Sequence, residues 1–255
     1  MIFRIELGVD KRSDTLLPLN YQYELSSAIY KIMATSDKDY TSWLHDNGFG
    51  DGNKKRMKLF CFSNLLIPRA KVFKDRLNIL SNKADFYISF LPERSTMVFI
   101  QGAFADQYLS LGDRESRVDF RISKVELVPT PADIEEGNFK ALSPICISRK
   151  DETGGIKYLT PEDPEAGQRI ISNLMEKYRF FYRKEFEGKT DYEFKLLDNP
   201  KRKRIILKRG TPEETSIIGY NFRFYLTCDK ELMNVMFGSG IGEHNAQGFG
   251  YIEKM

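Results

Sequence analysis

The pattern of apolar and polar positions divides the chain into two halves with the same order of elements. In the first half, alternation predicts a half-buried strand over 2–9. Helical spacing then predicts a helix over 21–34, capped by Asn20, and a shorter helix over 39–44. The other predicted elements of this half are strands over 57–63, 70–80, 84–91 and 118–128 and a helix over 94–110.

The second half repeats this order. Its predicted strands cover 141–149, 192–197, 203–209, 217–228 and 248–253, and its predicted helices cover 160–183 and 230–237. Each half is approximately β-α-β-β-α-β, the ferredoxin-like order that common RNA-binding modules share. The predicted fold class is therefore α+β, with two tandem ferredoxin-like (RRM-like) domains. A Pro-Thr-Pro segment at 129–131 predicts a boundary between an N-terminal domain, 1–130, and a C-terminal domain, 131–255.

A glycine-rich segment, the glycine loop, runs from Gly238 to Gly250, and five of its thirteen residues are glycine. A loop of this kind can curl its N–H groups around an anion such as phosphate. A P-loop is excluded because no lysine follows these glycines, and a dinucleotide fingerprint is not expected because only five residues follow Gly250. A tight connection between a helix and a strand would explain only one or two of the glycines.

The charge distribution favours a nucleic-acid partner. The net charge is only +3, but residues 195–209 carry seven basic residues and one acid, and a second basic cluster spans 54–58. Such clusters attract phosphate backbones, although an isolated run is as well explained by a solvated turn. The predicted RNA-binding residues are Lys54, Lys55, Arg56, Lys201, Arg202, Lys203, Arg204, Gly240, Gly242, His244, Gly248, Phe249 and Gly250.

The composition, 41% hydrophobic and 29% charged, is typical of a soluble globular protein. The three cysteines are far apart and only two histidines are present, so we expect neither a disulfide framework nor a metal site, and no cofactor. The N-terminus does not resemble a signal peptide and no segment resembles a membrane span, which predicts a cytoplasmic protein without a membrane partner.

The residue with the best chemistry for RNA cleavage is His45, which follows a predicted helix and precedes the basic cluster. An imidazole can take the proton of a 2′-hydroxyl, which then attacks the neighbouring phosphate. Lys54, Lys55, Arg56 or Lys58 could stabilise the charged intermediate, and Tyr30 could serve as the acid. Tyr30 is equally well explained by packing at helical spacing, and His45 by the helix dipole.

Three segments resemble the CRISPR-associated endoribonucleases that process precursor CRISPR RNA, the sixth Cas protein family. They are 17–30, the Trp-Leu-His motif ending at His45 with the Lys-Leu-Phe-Cys-Phe-Ser segment after it, and the glycine loop. The resemblance implies two ferredoxin-like domains and metal-independent cleavage of repeat RNA that leaves a 2′,3′-cyclic phosphate. It also implies that His45 is the general base, Tyr30 a catalytic tyrosine and Lys58 an assisting lysine.

The expected partner is CRISPR repeat RNA within precursor CRISPR RNA, and other CRISPR effector subunits are a further candidate. Two alternatives are a non-catalytic RNA-binding module of the same fold and an unrelated enzyme that binds a nucleotide at the glycine loop. The sequence leaves open the oligomeric state, the repeat sequence, and which lysine of the basic cluster assists catalysis.

Overall fold

The computed structural model describes residues 1–10, 12–52, 55–131 and 133–255. The strands are β1 (Ile2–Val9), β2 (Leu16–Pro18), β3 (Phe49–Gly50), β4 (Arg56–Met57), β5 (Phe60–Phe62), β6 (Ala70–Phe73), β7 (Arg76–Ile79), β8 (Lys83–Phe90), β9 (Tyr108–Gly112), β10 (Arg117–Val128), β11 (Glu136–Ala141), β12 (Ser148–Lys150), β13 (Ile156–Tyr158), β14 (Glu193–Leu196), β15 (Lys201–Leu207), β16 (Thr215–Asn221), β17 (Arg223–Thr227) and β18 (Ile252–Lys254). The helices are α1 (Gln22–Ser36), α2 (Lys38–Asp46), α3 (Glu93–Ala105), α4 (Ala166–Tyr182) and α5 (Lys230–Ser239), and a 3-10 turn spans Asn245–Gln247.

The first half forms an antiparallel sheet in the order β5-β8-β1-β10-β9. Without the edge strand β9, this is the ferredoxin-like order, in which the first strand pairs with the third and fourth. Alternation along β1 buries Ile5 and Leu7 completely, and α1 and α3 complete the core with residues such as Ile29 and Phe99. The alternating pattern of the N-terminal strand therefore identified the central strand of the sheet.

The second half forms the sheet β14-β17-β11-β18, again antiparallel and again ferredoxin-like. Helices α4 and α5 supply its core, where Phe139 and Phe224 stack beneath Leu174 and Leu232. The prediction of an α+β chain with two ferredoxin-like domains is confirmed. The placement of the boundary at residue 130, in the segment between β10 and β11, stays a prediction.

Several predicted elements were wrong in their bounds. The segment 70–80 is a hairpin, because Lys74 adopts a positive φ of 55° and turns the chain between β6 and β7. The strand predicted over 141–149 covers only the last residue of β11 and the first two of β12, with isolated bridges at Ile145 and Cys146 between them. Most of β11 was missed because polar residues flank its buried Phe139. Asn20 does not cap α1, since Tyr21 occupies the cap position without a side-chain hydrogen bond.

A long two-stranded extension joins the two halves. Strands β15 and β16 continue the β14–β17 hairpin, and the turn between them reaches the first half, where Arg209 Nη1 lies 2.7 Å from Asp75 Oδ2. Ile205, Leu207 and Phe249 form a small buried cluster against Tyr23 of α1. Strand β15, the basic strand, is therefore held beside α1 by apolar contacts. The ion pair between Arg209 and Asp75 holds the turn that follows it.

None of the helices in the described ranges has both the length and the apolar character that a membrane crossing requires.

Candidate functional site

The structure brings His45, Tyr30 and Lys58 together beside the middle of α1. His45 lies in the last turn of α2, and its ring meets the Tyr30 ring edge-on, with 5.1 Å between ring centroids and 84° between planes. Lys58 follows β4, and its ammonium group donates a hydrogen bond to the His45 carbonyl. Two successive helices and the segment after β4 thus place the Tyr30 phenol ring against the His45 imidazole and the Lys58 ammonium group against the His45 backbone.

His45 is exposed and oriented by its neighbour. Its Nδ1 lies 2.8 Å from Asp46 Oδ1, and the His45 side chain is 66% exposed. In the tautomer with the proton on Nδ1, the Nδ1–H group donates a hydrogen bond to this carboxylate. The Nε2 lone pair is then available to accept a proton, as a general base requires. Asp46 was not predicted to orient His45, although its position directly after the histidine could have indicated this contact.

Tyr30 is half-buried, with its ring edge also against Phe60 at 5.6 Å. Burial raises the pKa of the Tyr30 hydroxyl well above its ordinary value, so this group keeps its proton at neutral pH. It makes no hydrogen bond with any residue in the described ranges. Tyr30 therefore packs against the core, as the alternative interpretation held, and also keeps a donor beside His45.

Lys58 has the properties of a tunable cation. Burial lowers the pKa of its ammonium group to about 8, and the nearby positive charge of Arg56 adds to this effect, while Asp46 opposes it. The group is therefore charged at neutral pH and loses its charge under mildly alkaline conditions.

The other residues of the basic cluster make protein contacts. Lys55 forms an ion pair with Glu176 of α4, and Arg56 Nη1 donates to the carbonyl of Asp46 at 2.6 Å. Lys54 lies outside the described residues. Among the described lysines of the cluster, Lys58 is the one that contacts His45. The sequence alone did not distinguish these lysines.

The glycine loop is folded onto the protein. The N–H of Gly240 donates to Met236, that of Gly248 to Asn245 and that of Gly250 to Pro144, over 2.8, 3.1 and 2.9 Å. These three amides donate to carbonyl oxygens of the protein and are therefore not free to cradle a phosphate, while RNA contact by the loop residues Gly240, Gly242, Gly248 and Gly250 stays a prediction.

Close backbone approach explains these glycines. At Gly250, where φ is +73°, a Cβ atom would lie 2.0 Å from the carbonyl oxygen of Ile241, and at Gly242, where φ is +69°, 2.4 Å from that of Cys146. Phe249 is fully buried, so its ring packs inside the protein and is not available to stack on a base. The loop leaves His244 as its exposed side chain.

A buried lysine that the sequence analysis missed supports the loop. Lys177 of α4 is 2% exposed, and its ammonium group donates to the carbonyls of Gly240 at 2.7 Å and Gly242 at 3.1 Å. Burial lowers the pKa of Lys177 to about 7. Its burial could have been predicted, because Lys177 lies at helical spacing from the apolar residues Ile170 and Leu174 and so shares their face of α4.

Lys177 makes stability depend on pH. Its pKa in the folded state is about 7 against 10.5 for an ordinary lysine, so the unfolded chain binds more protons between these values and stability rises with pH. Between pH 7 and pH 9, the wild-type protein should gain about 2 kcal/mol of unfolding free energy relative to Lys177→Met. Urea unfolding of both proteins at the two pH values measures this difference. An equal pH response in both proteins would contradict the assignment, and Lys195→Met, an exposed lysine, is the control.

The glycine loop borders the site. Ser26 of α1 donates to the carbonyl of Ala246 at 2.7 Å, and Ser26 lies one helical turn before Tyr30. His244 has a positive φ of 59°, and its Nδ1 lies 2.9 Å from Gln247 Oε1. The loop, α1 and the trio of His45, Tyr30 and Lys58 therefore form one continuous surface.

The basic strand β15 presents unneutralised charge. Lys201, Arg202, Lys203 and Arg204 are all exposed, and no carboxylate in the described part of the chain forms an ion pair with them. Arg204 Nε instead donates to Ser216 Oγ at 2.7 Å. Because side chains alternate along a strand, two positive groups project from each face of this hairpin.

One set of residues could hold a metal ion. Cys146, Glu243 and His244 place their ligand atoms within 4.8 Å of one another. No metal site was expected from the sequence, because the three cysteines are far apart and only two histidines are present.

Comparison with known proteins places this architecture in a family. The description "CRISPR-associated protein Cas6, N-terminal" matches residues 16–126, and "CRISPR associated protein Cas6, C-terminal" matches residues 128–254. The CRISPR-associated endoribonuclease Cas6 1 of Methanocaldococcus jannaschii is 30% identical over 253 residues, which cover 98% of this chain and 91% of that protein. The CRISPR-associated endoribonuclease Cas6 of Pyrococcus furiosus is 25% identical over 247 residues, which cover 96% of this chain and 86% of that protein.

A solved structure from a Cas6-related gene of Pyrococcus furiosus has the same fold. It superposes with a TM-score of 0.84 at 22% identity, covering 100% of this chain and 98% of that one. Since the two family descriptions together span nearly all of the sequence, the conclusion is direct: the chain belongs to the Cas6 family of CRISPR-associated proteins.

Proposed function

We propose that this protein is a metal-independent endoribonuclease that binds CRISPR repeat RNA and cleaves precursor CRISPR RNA. The observation that carries the proposal is the meeting of His45, Tyr30 and Lys58 at an exposed edge of the N-terminal domain. The M. jannaschii and P. furiosus relatives, which match this chain over nearly its whole length, are named endoribonucleases.

In the proposed reaction, His45 Nε2 takes the proton of the 2′-hydroxyl next to the scissile phosphate. The 2′-oxygen attacks phosphorus, and Tyr30 gives its proton to the departing 5′-oxygen, while the Lys58 ammonium group stabilises the pentavalent phosphate. The products are a 2′,3′-cyclic phosphate and a 5′-hydroxyl. The RNA supplies its own positioned nucleophile, so the reaction needs no metal-activated water.

The proposed RNA path runs along α1 from the basic strand β15, past His244, to the catalytic trio. Domain 1–130 cuts the RNA, and domain 131–255 holds it through Lys201, Arg202, Lys203, Arg204 and His244. Other CRISPR effector subunits are proposed as further partners. A cytoplasmic location is proposed because the three cysteines are free and buried, as is common in reducing compartments.

Product analysis tests the function. In the presence of a chelator, wild-type protein should convert a repeat RNA into two fragments, and mass spectrometry should find a 2′,3′-cyclic phosphate on one and a 5′-hydroxyl on the other. Binding without any cleavage, across several repeat RNAs, would instead support the non-catalytic RNA-binding module.

The pKa of Lys58 predicts how the cleavage rate depends on pH. Because this pKa is about 8, the ammonium charge is lost as the pH rises through 8, and single-turnover cleavage should slow over pH 8 to 9. Lys58→Arg keeps its charge throughout this range, so its rate should not show the decline. A rate profile with the same alkaline decline in both proteins would exclude Lys58 as the cation.

A further inference from the structure

Two segments that are far apart in sequence meet at the outer edge of the glycine loop. Cys146 lies shortly before β12, and Glu243 and His244 lie in the loop. The N–H of Glu243 donates to the carbonyl of Cys146 at 2.9 Å, so the two backbones are held in register. The thiol, the carboxylate and the imidazole consequently lie within 4.8 Å of one another.

This set of ligand types selects a particular class of ion. Thiolate, imidazole and a single carboxylate suit Zn²⁺ and related transition metals, in tetrahedral sites with water in the fourth position. Mg²⁺ and Ca²⁺ prefer sites built from oxygen ligands. Tetrahedral Zn²⁺ sites with bonds of about 2.0–2.3 Å place their ligand atoms roughly 3.3–3.8 Å apart, so on binding the three side chains must close from separations of up to 4.8 Å.

Outer contacts orient two of the ligands. Gln247 Oε1 lies 2.9 Å from His244 Nδ1, which leaves Nε2 to bind an ion. The hydroxyl of Ser148 donates to Glu243 Oε2 at 2.7 Å, which leaves Oε1. Hydrogen bonds of this kind fix ligand orientation at metal sites.

The third ligand is buried without a polar partner. Cys146 is fully buried, and its thiol makes no hydrogen bond within the described ranges. An ion at this point would give the Cys146 sulfur the polar partner that the described residues do not supply. Glu243 and Ser148 line a cavity of about 590 Å³, so the carboxylate side of the set is open to solvent.

We infer that Cys146, Glu243 and His244 form a binding site for a Zn²⁺-class ion, completed by water. On binding, the Cys146 thiol releases its proton to solvent and forms the metal–sulfur bond. The site takes no part in the proposed cleavage. The bound ion would tie the glycine loop to the segment before β12 and fix the position of His244.

A Co²⁺ titration of the metal-free full chain tests the site. One equivalent should produce the near-ultraviolet sulfur-to-cobalt absorption and the visible bands of a tetrahedral site, and Zn²⁺ but not excess Mg²⁺ should remove them. We expect binding to weaken at least about 100-fold in Cys146→Ser and His244→Ala, and about 10- to 100-fold in Gln247→Ala and Ser148→Ala. Cys228→Ser, which changes another buried cysteine of the same half, should bind Co²⁺ like the wild type.

A thermal-unfolding measurement covers the case in which Cys146→Ser does not fold. Zn²⁺ should raise the unfolding temperature of the wild-type protein and not that of His244→Ala, whose side chain is exposed. Three results would overturn the inference: no sulfur-to-cobalt absorption, absorption that survives both ligand substitutions, or absorption that Cys228→Ser abolishes. None of these readouts depends on RNA cleavage.

Discussion

His45→Ala should lower the rate of repeat-RNA cleavage by about 10²- to 10⁴-fold, the contribution typical of a general base. RNA affinity should remain within about threefold of the wild type, because the positive groups of β15 and Lys58 are unchanged. The physical reason is that the substitution removes the imidazole lone pair that lies beside the Tyr30 ring. Single-turnover rates at saturating protein, together with binding of the same RNA, measure the two effects separately.

The matched control for this prediction is Ser42→Ala, an exposed position one turn earlier in α2. It should leave the cleavage rate unchanged, which would show that disturbing the end of the helix is not enough. Asp46→Asn should slow cleavage by less than His45→Ala, because it weakens only the orientation of the imidazole. A His45→Ala protein that cleaves as fast as Ser42→Ala would remove His45 from the mechanism.

Neutralising the basic strand should have the largest effect on binding. Replacing Lys201, Arg202, Lys203 and Arg204 together with glutamine should weaken RNA affinity and reduce the slope of log K against log salt by about 2 to 3, since each phosphate contact on a single strand contributes about 0.7. The exposure of all four side chains, without a carboxylate partner in the described chain, is the reason to expect this. Binding titrations at several salt concentrations provide the slope.

The control for the basic strand is Lys83→Gln with Lys124→Gln. Each of these lysines is exposed on a strand but already paired with a carboxylate, Glu6 at 2.9 Å and Glu126 at 3.0 Å, respectively. Their loss should leave the salt slope nearly unchanged. An unaltered slope in the quadruple variant would show that Lys201–Arg204, although exposed on β15, are solvated charges that do not contact RNA phosphates.

Periodicity was sufficient to predict the fold, because most elements carry a clear pattern. Strand β1 alternates from Phe3 to Leu7, and α1 and α4 bury one stripe each, so the ferredoxin-like order could be predicted from the sequence. Strand β11 could not, because Glu136, Asn138 and Lys140 face solvent and leave only Phe139 and Ala141 as a signal. The hairpin of β6 and β7 was hidden by a left-handed lysine that sequence alone does not reveal.

The candidate site was predictable where local chemistry marked it. The sequence singled out His45 because only two histidines exist and a basic cluster follows it. The sequence did not show which lysine lies beside His45, because this depends on the turn that brings Lys58 to the His45 carbonyl. Lys177 and Cys146 were missed because their roles arise from contacts with a loop more than sixty residues away in sequence.

The role of the glycine loop could not be predicted from its composition. Glycine density suggested an anion cradle, but the same density also allows the close backbone packing that the structure shows at Gly242 and Gly250. The amides of Gly240, Gly248 and Gly250 are consumed by that packing. The exposed side chain of the loop is His244.

The central claim, attack by the 2′-hydroxyl of the RNA under the control of His45, is tested most directly with a repeat RNA that carries one 2′-deoxy nucleotide at the cleavage position. The account predicts that wild-type protein binds this RNA as tightly as the unmodified repeat and does not cleave it. Cleavage of the deoxy substrate at the same bond would contradict the account.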